Sequence, residues 1–172
     1  RTKGDCVPGE ALARVVERVK SGETDAYRLL VERHGRSVFR LAYRMTGNEF
    51  DAEDVVQEAF LRAYRQIESY ESRSSFSTWI FRIAANYALD LIRSRQRHEQ
   101  KRVRAAPPDE RDLLDSMGTE APGPDRIYYS AQVQQKITAA LEGLTDQERT
   151  AFLLRHFEGK SIDEIGSVLG IA

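Results

Sequence analysis

Five acidic side chains between residues 49 and 58 are the feature of this sequence best suited to bind a metal or a partner protein. In the stretch EFDAEDVVQE, a helix would place Asp54, Glu58 and Leu61 on one face, with Gln57 beside them. The helical carboxylates of a di-iron site would come with a Glu-x-x-His spacing, which this sequence lacks. The face therefore either binds a partner or is a solvated acidic surface, and the segment alone favours the second interpretation.

Basic and amide side chains further along the chain are suited to bind nucleic acid. Residues 93–104, RSRQRHEQKRVR, contain six lysine or arginine residues and one glutamate. They continue a helix whose exposed face would carry Asn86 and Asp90. Arginine side chains on such a helix reach phosphates, whereas shorter polar groups contact base edges. A solvated polar face is an equally good interpretation of this segment by itself.

Sequence motifs for catalysis, metal binding and covalent cross-links are absent. The chain has no CxxC, HExxH, GxSxG or glycine-rich phosphate-loop motif, and its three histidines are far apart in sequence. Cys6 is the only cysteine, so an internal disulfide bond is impossible. We therefore predict no enzyme activity, no catalytic residue, no metal and no cofactor. Since no signal peptide and no long apolar stretch is visible, we predict a cytoplasmic protein without membrane insertion.

The 172 residues have a net charge of −1 and divide at a proline-rich acidic stretch. Four of the five prolines lie between residues 107 and 124, and we predict a flexible acidic linker at 103–125. It would separate an N-terminal domain, 10–102, from a C-terminal domain, 126–172. Apolar residues elsewhere recur at spacings of three and four, which predicts an all-α fold of two small helical domains.

Two predicted helices would position the acidic and basic side chains. The first is capped by Asp51 and buries an apolar face made of Val56, Ala59, Phe60, Ala63, Tyr64 and Ile67. After a polar turn at 71–75, a long helix begins at Phe76 and places Trp79 and Ile83 in the core.

The C-terminal domain contains two capping boxes, in which a hydroxyl group and a glutamate three residues later cap each other's backbone amides. They are Thr145 with Glu148 and Ser161 with Glu164. The second box begins a short helix of about 162–169, and Gly170 ends it. A short helix followed by a glycine turn is the first half of a helix-turn-helix. The recognition helix would begin where the sequence ends, at residue 172.

These motifs together resemble conserved regions of the extracytoplasmic-function (ECF) sigma factors, DNA-binding subunits of bacterial RNA polymerase. The resemblance to region 2 rests on Asp54-Val-Val-Gln-Glu58, Phe76-x-x-Trp79, Arg82-Ile-Ala, Asn86 and Asp90-x-x-Arg93. The resemblance to region 4 rests on Leu144-Thr-x-x-Glu148-Arg, Phe157-Glu-Gly-Lys-Ser-x-x-Glu164-Ile and Leu169-Gly-Ile. Region 4 alone is less specific, because LuxR-type regulators use a similar helix-turn-helix.

The resemblance implies a factor that binds core polymerase, directs it to promoters and helps to melt the −10 element. The clamp helices of the polymerase β′ subunit would be contacted by Asp54, Gln57, Glu58 and Leu61. The −10 DNA would be contacted by Tyr70, Arg73, Ser74, Asn86, Asp90, Arg93 and Arg97. Among these, Tyr70 would stack on a base flipped out into the loop at 70–75.

For the C-terminal domain, the resemblance implies a partial region 4, truncated before the recognition helix that would read the −35 element. Its helix-turn-helix would include Ser161, Glu164 and Gly170, and Leu153 and Phe157 would help to contact the β-flap of polymerase. The resemblance also implies control by an anti-sigma factor. Two alternatives stay open: a LuxR-like regulator, and a helical module that binds RNA or an acidic protein.

Overall fold

The described part of the chain folds into α-helices. The computed structural model describes residues 9–105 and 143–171, and within these ranges there is no β-strand. The described residues form α1 (Gly9–Lys20), α2 (Thr24–Thr46), α3 (Glu49–Arg65), α4 (Phe76–Ala105), α5 (Asp146–His156) and α6 (Ile162–Leu169), with one 3-10 turn at Ile67–Ser69. The prediction of an all-α fold is confirmed.

Helices α2, α3 and α4 pack around one apolar core, and α1 packs against α2. On α2 the buried side chains recur every three or four residues, as Leu30, His34, Val38 and Leu41 show. The core faces of α3 and α4 are rich in small residues, namely Ala52, Ala59, Ala63, Ala84, Ala85 and Ala88. Such small side chains let neighbouring helices approach closely.

The turn between α2 and α3 is set by Gly47 and Asn48. Gly47 has a φ of +67°, a left-handed conformation that glycine adopts without strain, and its N–H donates to the Tyr43 carbonyl. Asn48 caps α3, because its side-chain oxygen accepts a hydrogen bond from the Asp51 N–H. The prediction that Asp51 caps this helix is therefore wrong. The helix begins at Glu49, and Asp51 lies in its first turn.

The buried face of α3 is shifted from the predicted one. Val55 is fully buried, whereas Val56 is half-buried and the Tyr64 side chain is exposed. The remaining predicted core residues are buried: Ala59, Phe60, Ala63 and Ile67. Because α3 packs against both α2 and α4, the stripe through Val55 and the alanines faces the core. The side chains at positions 56 and 64 then lie at the edge of that stripe.

Helix α4 extends three residues into the segment predicted as linker. It continues through Ala105, since no proline or glycine interrupts the sequence before Pro107. The first three residues of the predicted linker are thus helical. The rest of that linker, 106–125, lies outside the described residues.

Both predicted capping boxes are present in the C-terminal helices. The Thr145 hydroxyl accepts from the Glu148 N–H while the Glu148 carboxylate accepts from the Thr145 N–H, and Ser161 and Glu164 repeat the arrangement. Leu154 of α5 and Val168 of α6 are fully buried and extend the core formed by α2 to α4. The C-terminal helices are therefore packed onto the N-terminal ones.

A buried polar cluster, which we call the junction, joins α4 to α6 and consists of Ser77, Thr78, Lys160 and Glu164. The Lys160 Nζ donates to Ser77 Oγ at 2.8 Å, to Thr78 Oγ1 at 3.0 Å and to Glu164 Oε1 at 2.9 Å. The Thr78 hydroxyl donates to the same Glu164 oxygen at 2.6 Å. This hydrogen bond is the main reason why the pKa of Glu164 falls to about 2. Lys160 is only 8% exposed, so the junction is largely shielded from water.

Candidate nucleic-acid and polymerase interface

The acidic face of α3 is accessible to a partner. Asp54, Gln57 and Leu61 are exposed, and Glu58 is half-buried. All four side chains lie on the side of the helix away from the alanine-rich core stripe. The exposure expected of a docking face is thus found for Asp54 and Gln57 and only partly for Glu58, while the binding role of the face stays a prediction.

Two residues that the sequence did not single out bind the carboxylates of this face. The Tyr87 hydroxyl of α4 donates to Asp54 Oδ2 at 2.8 Å, and this bond is the main reason why the pKa of Tyr87 is raised. Arg62 Nε donates to Glu58 Oε1 at 2.6 Å. The Arg62 guanidinium carbon also lies 4.8 Å from the centroid of the Tyr87 ring, within the range of a cation–π contact.

A pocket of about 390 Å³ opens beside this face, between α3 and α4. Its lining consists of Arg62, Gln66, Trp79, Arg82, Ile83 and Asn86. The indole of Trp79 supplies a flat apolar surface, and the two arginines supply positive charge. Two side-chain amides complete the lining and are suited to hydrogen-bond a base edge. This combination is suited to a nucleotide, whose base stacks while its phosphate needs a cation.

Trp79 packs against the core, as predicted, but it is only half-buried and therefore also lines this pocket. Its ring packs over Tyr70 and Phe76, with centroids 5.0 and 5.6 Å away, and its other surface remains accessible. Ile83, also predicted in the core, is half-buried and lines the same pocket.

Tyr70 is a core residue, and the prediction that its ring offers a stacking surface is wrong. The residue is 7% exposed, and its hydroxyl donates to the Ser74 carbonyl at 2.7 Å. The Tyr70 ring packs against Trp79, with ring centroids 5.0 Å apart, in a loop where Ser72 has a φ of +58°. The Lys20 ammonium group fixes the backbone by donating to the Tyr70 carbonyl at 2.8 Å.

The other loop residues predicted to contact DNA do not line the pocket. Arg73 is exposed and forms an ion pair with Glu71 at 2.7 Å. Ser74 is half-buried, and its carbonyl is the acceptor for Tyr70. The structure therefore places these two side chains at the surface of the loop, separate from the lining formed by α3 and α4.

The predicted DNA-binding residues of α4 share one exposed face. Asn86, Asp90, Arg93 and Arg97 follow each other at spacings of four, three and four, and all four are exposed. Only Asn86 reaches the pocket. Arg93 lies 3.8 Å from the Asp90 carboxylate, and Arg97 Nε donates to the Arg93 carbonyl at 3.2 Å. The face thus continues from the pocket towards the basic end of the helix.

The sequence contained a usable signal for the residues that were missed. Glu58, Arg62 and Gln66 recur every four residues on α3, so they form one row along the helix surface. On α4 a similar row begins at Trp79, continues through the neighbouring Arg82 and Ile83, and ends at Asn86. The antiparallel packing that brings these two rows together is a tertiary property, which the spacing alone does not specify.

Comparison with known families identifies two matching segments. The family model of Sigma-70 region 2 matches residues 30–98, and that of Sigma-70, region 4 matches residues 134–172. The ECF RNA polymerase sigma factor SigW of Bacillus subtilis is 32% identical over 156 residues, which cover 91% of this chain and 83% of that protein. This chain belongs to the ECF sigma factors. Region 2 has no place in the LuxR-like alternative, which is therefore set aside.

Other relatives agree with this assignment. The ECF sigma-E factor of Escherichia coli is 32% identical over 162 residues, covering 90% of this chain and 81% of that protein. SigE of Mycolicibacterium smegmatis is 39% identical over 142 residues. That match covers 83% of this chain but 52% of the relative, so this sigma factor spans about half of that relative's length.

Two solved structures share the fold of this sigma factor. CnrH in complex with the cytosolic domain of CnrY has a TM-score of 0.59 and 23% identity, over 92% of this chain and 82% of that chain. The sigma factor RpoE of Bartonella quintana, solved with the anti-sigma factor NepR, has a TM-score of 0.62 and 22% identity, over 85% of this chain and 84% of that chain.

The region 4 residues of this sigma factor are engaged with region 2. Ser161 caps α6 and Gly170 ends it with a φ of +68°, while Glu164 is bound in the junction. Leu153 is buried, so it is not available to the β-flap in this arrangement. Phe157 is partly exposed, and the Arg44 guanidinium lies 4.0 Å from its ring centroid.

The described part of this sigma factor contains neither side-chain clusters that could hold a metal ion nor helices that could span a membrane. Residues 9–105 and 143–171 contain no cluster of side chains able to hold a metal ion. Within the same ranges, no helix is long and apolar enough to cross a membrane.

Proposed function

We propose that this sigma factor docks on core RNA polymerase through the acidic face of α3 and captures unpaired promoter bases in the pocket between α3 and α4. The observation that supports the second role is a partly exposed tryptophan, Trp79, set between two arginines and two amides. Unpaired bases stack on such a platform whatever their identity, while the amides can distinguish base edges.

Promoter melting then follows from differential binding. A base inside a duplex cannot reach the pocket, whereas a flipped base can stack on Trp79 and leave its phosphate near Arg62 or Arg82. Because only the open state gains these contacts, binding shifts the DNA towards that state. No bond is made or broken in this process, so the proposed role requires no catalytic residue and no cofactor.

The exposed face of α4 extends the proposed DNA site. Arg93 and Arg97 would contact phosphates on either side of the unpaired segment, which positions the strand without reading its sequence. Asp90 lies between them and Asn86, and its short side chain would face base edges. Arg73 and Ser74 of the loop would act on the neighbouring DNA outside the pocket.

We propose the division that the sequence predicted, region 2 at 10–102, a linker at 103–125 and region 4 at 126–172, with α4 continuing three residues into that linker. The β′ clamp helices would meet the acidic face, and the β-flap would meet region 4 near Phe157. RpoE was solved with an anti-sigma factor, and this supports a partner of the same kind for the present chain. A cytoplasmic location fits these partners.

The decisive experiment compares promoter binding by holoenzyme that contains either the wild type or Trp79→Leu. The leucine keeps an apolar contact with Tyr70 and Phe76 but removes the stacking surface. We expect binding to a single-stranded −10 oligonucleotide to weaken by about 1–3 kcal/mol per stacked base, with little change for duplex DNA. Tyr43→Leu, on the exposed side of α2, is the matched control and should bind normally. Equal binding by both variants would exclude the pocket as the base site.

A further inference from the structure

The acidic face and the pocket are connected through shared side chains. We propose that Arg62 serves both sites and that Tyr87 is its positioning residue. When a cationic partner engages Asp54 and Glu58, Arg62 is released to the nucleic acid. This inference rests on the proposed function, because it assumes a partner at the acidic face and nucleic acid in the pocket.

Arg62 contacts two side chains, Glu58 and Tyr87, and also lines the pocket. Its Nε donates to Glu58 at 2.6 Å, its guanidinium lies over the Tyr87 ring, and its side chain lines the pocket. Tyr87 is in turn fixed by its hydrogen bond to Asp54. The two carboxylates of the predicted polymerase-binding face, Asp54 and Glu58, are therefore hydrogen-bonded to Tyr87 and Arg62, and Arg62 lines the pocket.

The Arg62–Glu58 ion pair is partly exposed and therefore weak enough to be replaced by another partner. The Arg62 and Glu58 side chains are 42% and 28% exposed, and the two residues are one helical turn apart. Ion pairs of this kind contribute less than about 1 kcal/mol, because water screens them and both side chains lose freedom. A basic group of a partner can therefore displace Arg62 from Glu58 at small cost.

The Tyr87 ring keeps the released guanidinium at the edge of the pocket. A cation–π contact does not depend on Glu58, so Arg62 retains one of its two anchors after displacement. Free of Glu58, its charge is available to a phosphate of the bound strand. By thermodynamic linkage, nucleic acid in the pocket must favour binding of the cationic partner by the same factor.

A charge-neutral substitution at Glu58 imitates the engaged state in the free, full-length chain. The probe is a short, fluorescein-labelled single-stranded DNA of mixed sequence, with anisotropy measured across a potassium chloride series. We expect Glu58→Gln to bind more tightly than the wild type, by up to about fivefold. The slope of the logarithm of affinity against the logarithm of salt should steepen by about 0.7, the value for one added phosphate contact on a single strand.

The matched control is Glu53→Gln, which removes the same charge from an exposed position of α3. It measures the general effect of lower negative charge, since no ion pair to Glu53 occurs among the described residues. Addition of Arg62→Met to Glu58→Gln should abolish the excess affinity. Equal affinities of Glu58→Gln and Glu53→Gln, including a lack of binding by both, overturn the inference. So does an excess that survives Arg62→Met.

Variants of Tyr87 test positioning separately from folding. Tyr87→Leu should lower the affinity of Glu58→Gln by about two- to fivefold, because the cation–π contact is lost. Tyr87→Phe should restore it, because the ring remains although the bond to Asp54 is lost. Equal binding by the leucine and phenylalanine variants overturns the positioning role.

Trp79→Leu distinguishes failure of this inference from failure of the proposed function. If it weakens oligonucleotide binding while the two glutamine variants bind equally, the pocket stands and only the coupling is overturned. If it leaves binding unchanged in both the free chain and the holoenzyme, the pocket and the coupling are overturned together.

Discussion

Two charged clusters of this sigma factor each combine an acid, a base and a hydroxyl group. The first contains Glu58, Arg62 and Tyr87 on the outer surface of α3 and α4. The second is the junction, in which Lys160 and Glu164 bind Thr78. Their chemistry is alike, but the Lys160 side chain is only 10% exposed, whereas that of Arg62 is 42% exposed.

This difference in burial predicts a difference in role. An exposed ion pair gains little, so its loss changes stability slightly and its partners remain available for binding. A buried ammonium group must keep its hydrogen bonds, because leaving it unpaired costs several times more. The first cluster is therefore suited to exchange partners, whereas the junction holds region 4 against region 2 in the described arrangement.

The largest expected effect is on polymerase binding through the first cluster. Asp54→Lys combined with Glu58→Lys should weaken binding to core polymerase roughly 30-fold or more, since reversed charges at the centre of an interface cost about 2 kcal/mol or more. Asp54→Lys is an exposed substitution and should change the free energy of unfolding by less than about 0.5 kcal/mol, and Glu58→Lys, which is half-buried and loses one ion pair, by less than about 1 kcal/mol. Pull-down with core polymerase and urea unfolding measure the two quantities.

Glu53→Lys is the control for this double variant, because it adds positive charge to the same helix without breaking a contact with Arg62 or Tyr87. It should keep most of the polymerase affinity. Loss of folding in the double variant would show that the first cluster is structural after all, and the contrast with the junction would then disappear.

The next largest effect is on stability through the junction. Lys160→Met keeps the aliphatic stem but removes three hydrogen bonds, and it leaves the Glu164 carboxylate with its bonds to Thr78 and to the Ser161 N–H. We expect a loss of about 2–3 kcal/mol in the free energy of unfolding, measured in urea. Lys101→Met, on the exposed end of α4, should have almost no effect. A change of similar size in both variants would contradict the structural role of the junction.

A further effect should appear in the pH dependence of stability, through the buried His34. His34 packs against Phe76 at 5.2 Å, and burial lowers the pKa of this imidazole to about 4. Between pH 6.5 and 4 the unfolded chain therefore binds more protons, so stability is complete above pH 6.5 and falls as the pH decreases through this window. His34→Leu should remove this pH dependence, as followed by thermal unfolding at a series of pH values.

The fold was largely predictable because helix periodicity and capping are local properties. The two capping boxes and the end of α6 at Gly170 need only a few adjacent residues, and all three predictions are confirmed. The cap of α3 failed for a local reason, since Asn48 competes with Asp51 and lies earlier in the chain. The predicted core face of α3 was wrong at Val56 and Tyr64, because the orientation of that face depends on which helices pack against α3.

The candidate site was less predictable, because its side chains come from two helices. The aromatic platform was assigned to Tyr70 from its place in the loop, but burial is decided by the turn at Ser72 and by the ring of Trp79. A sequence shows that both residues are aromatic without showing which one covers the other. The cross-helix contact from Tyr87 to Asp54 depends on the same tertiary packing.

The smallest expected effect concerns a residue that belongs to neither cluster. Arg93 is exposed on α4 and lies 3.8 Å from Asp90, too far for a strong ion pair. As a phosphate contact, it should contribute equally to every DNA sequence, so Arg93→Gln should lower the salt slope of single-strand binding by about 0.7. Trp79→Leu should instead leave this slope unchanged while lowering affinity, because stacking releases no counterions. Salt titrations of both variants with two unrelated oligonucleotides compare the two behaviours. A sequence-dependent loss in Arg93→Gln would mean that this side chain reads bases, and the exposed face of α4 would then take part in promoter choice as well as in positioning the strand.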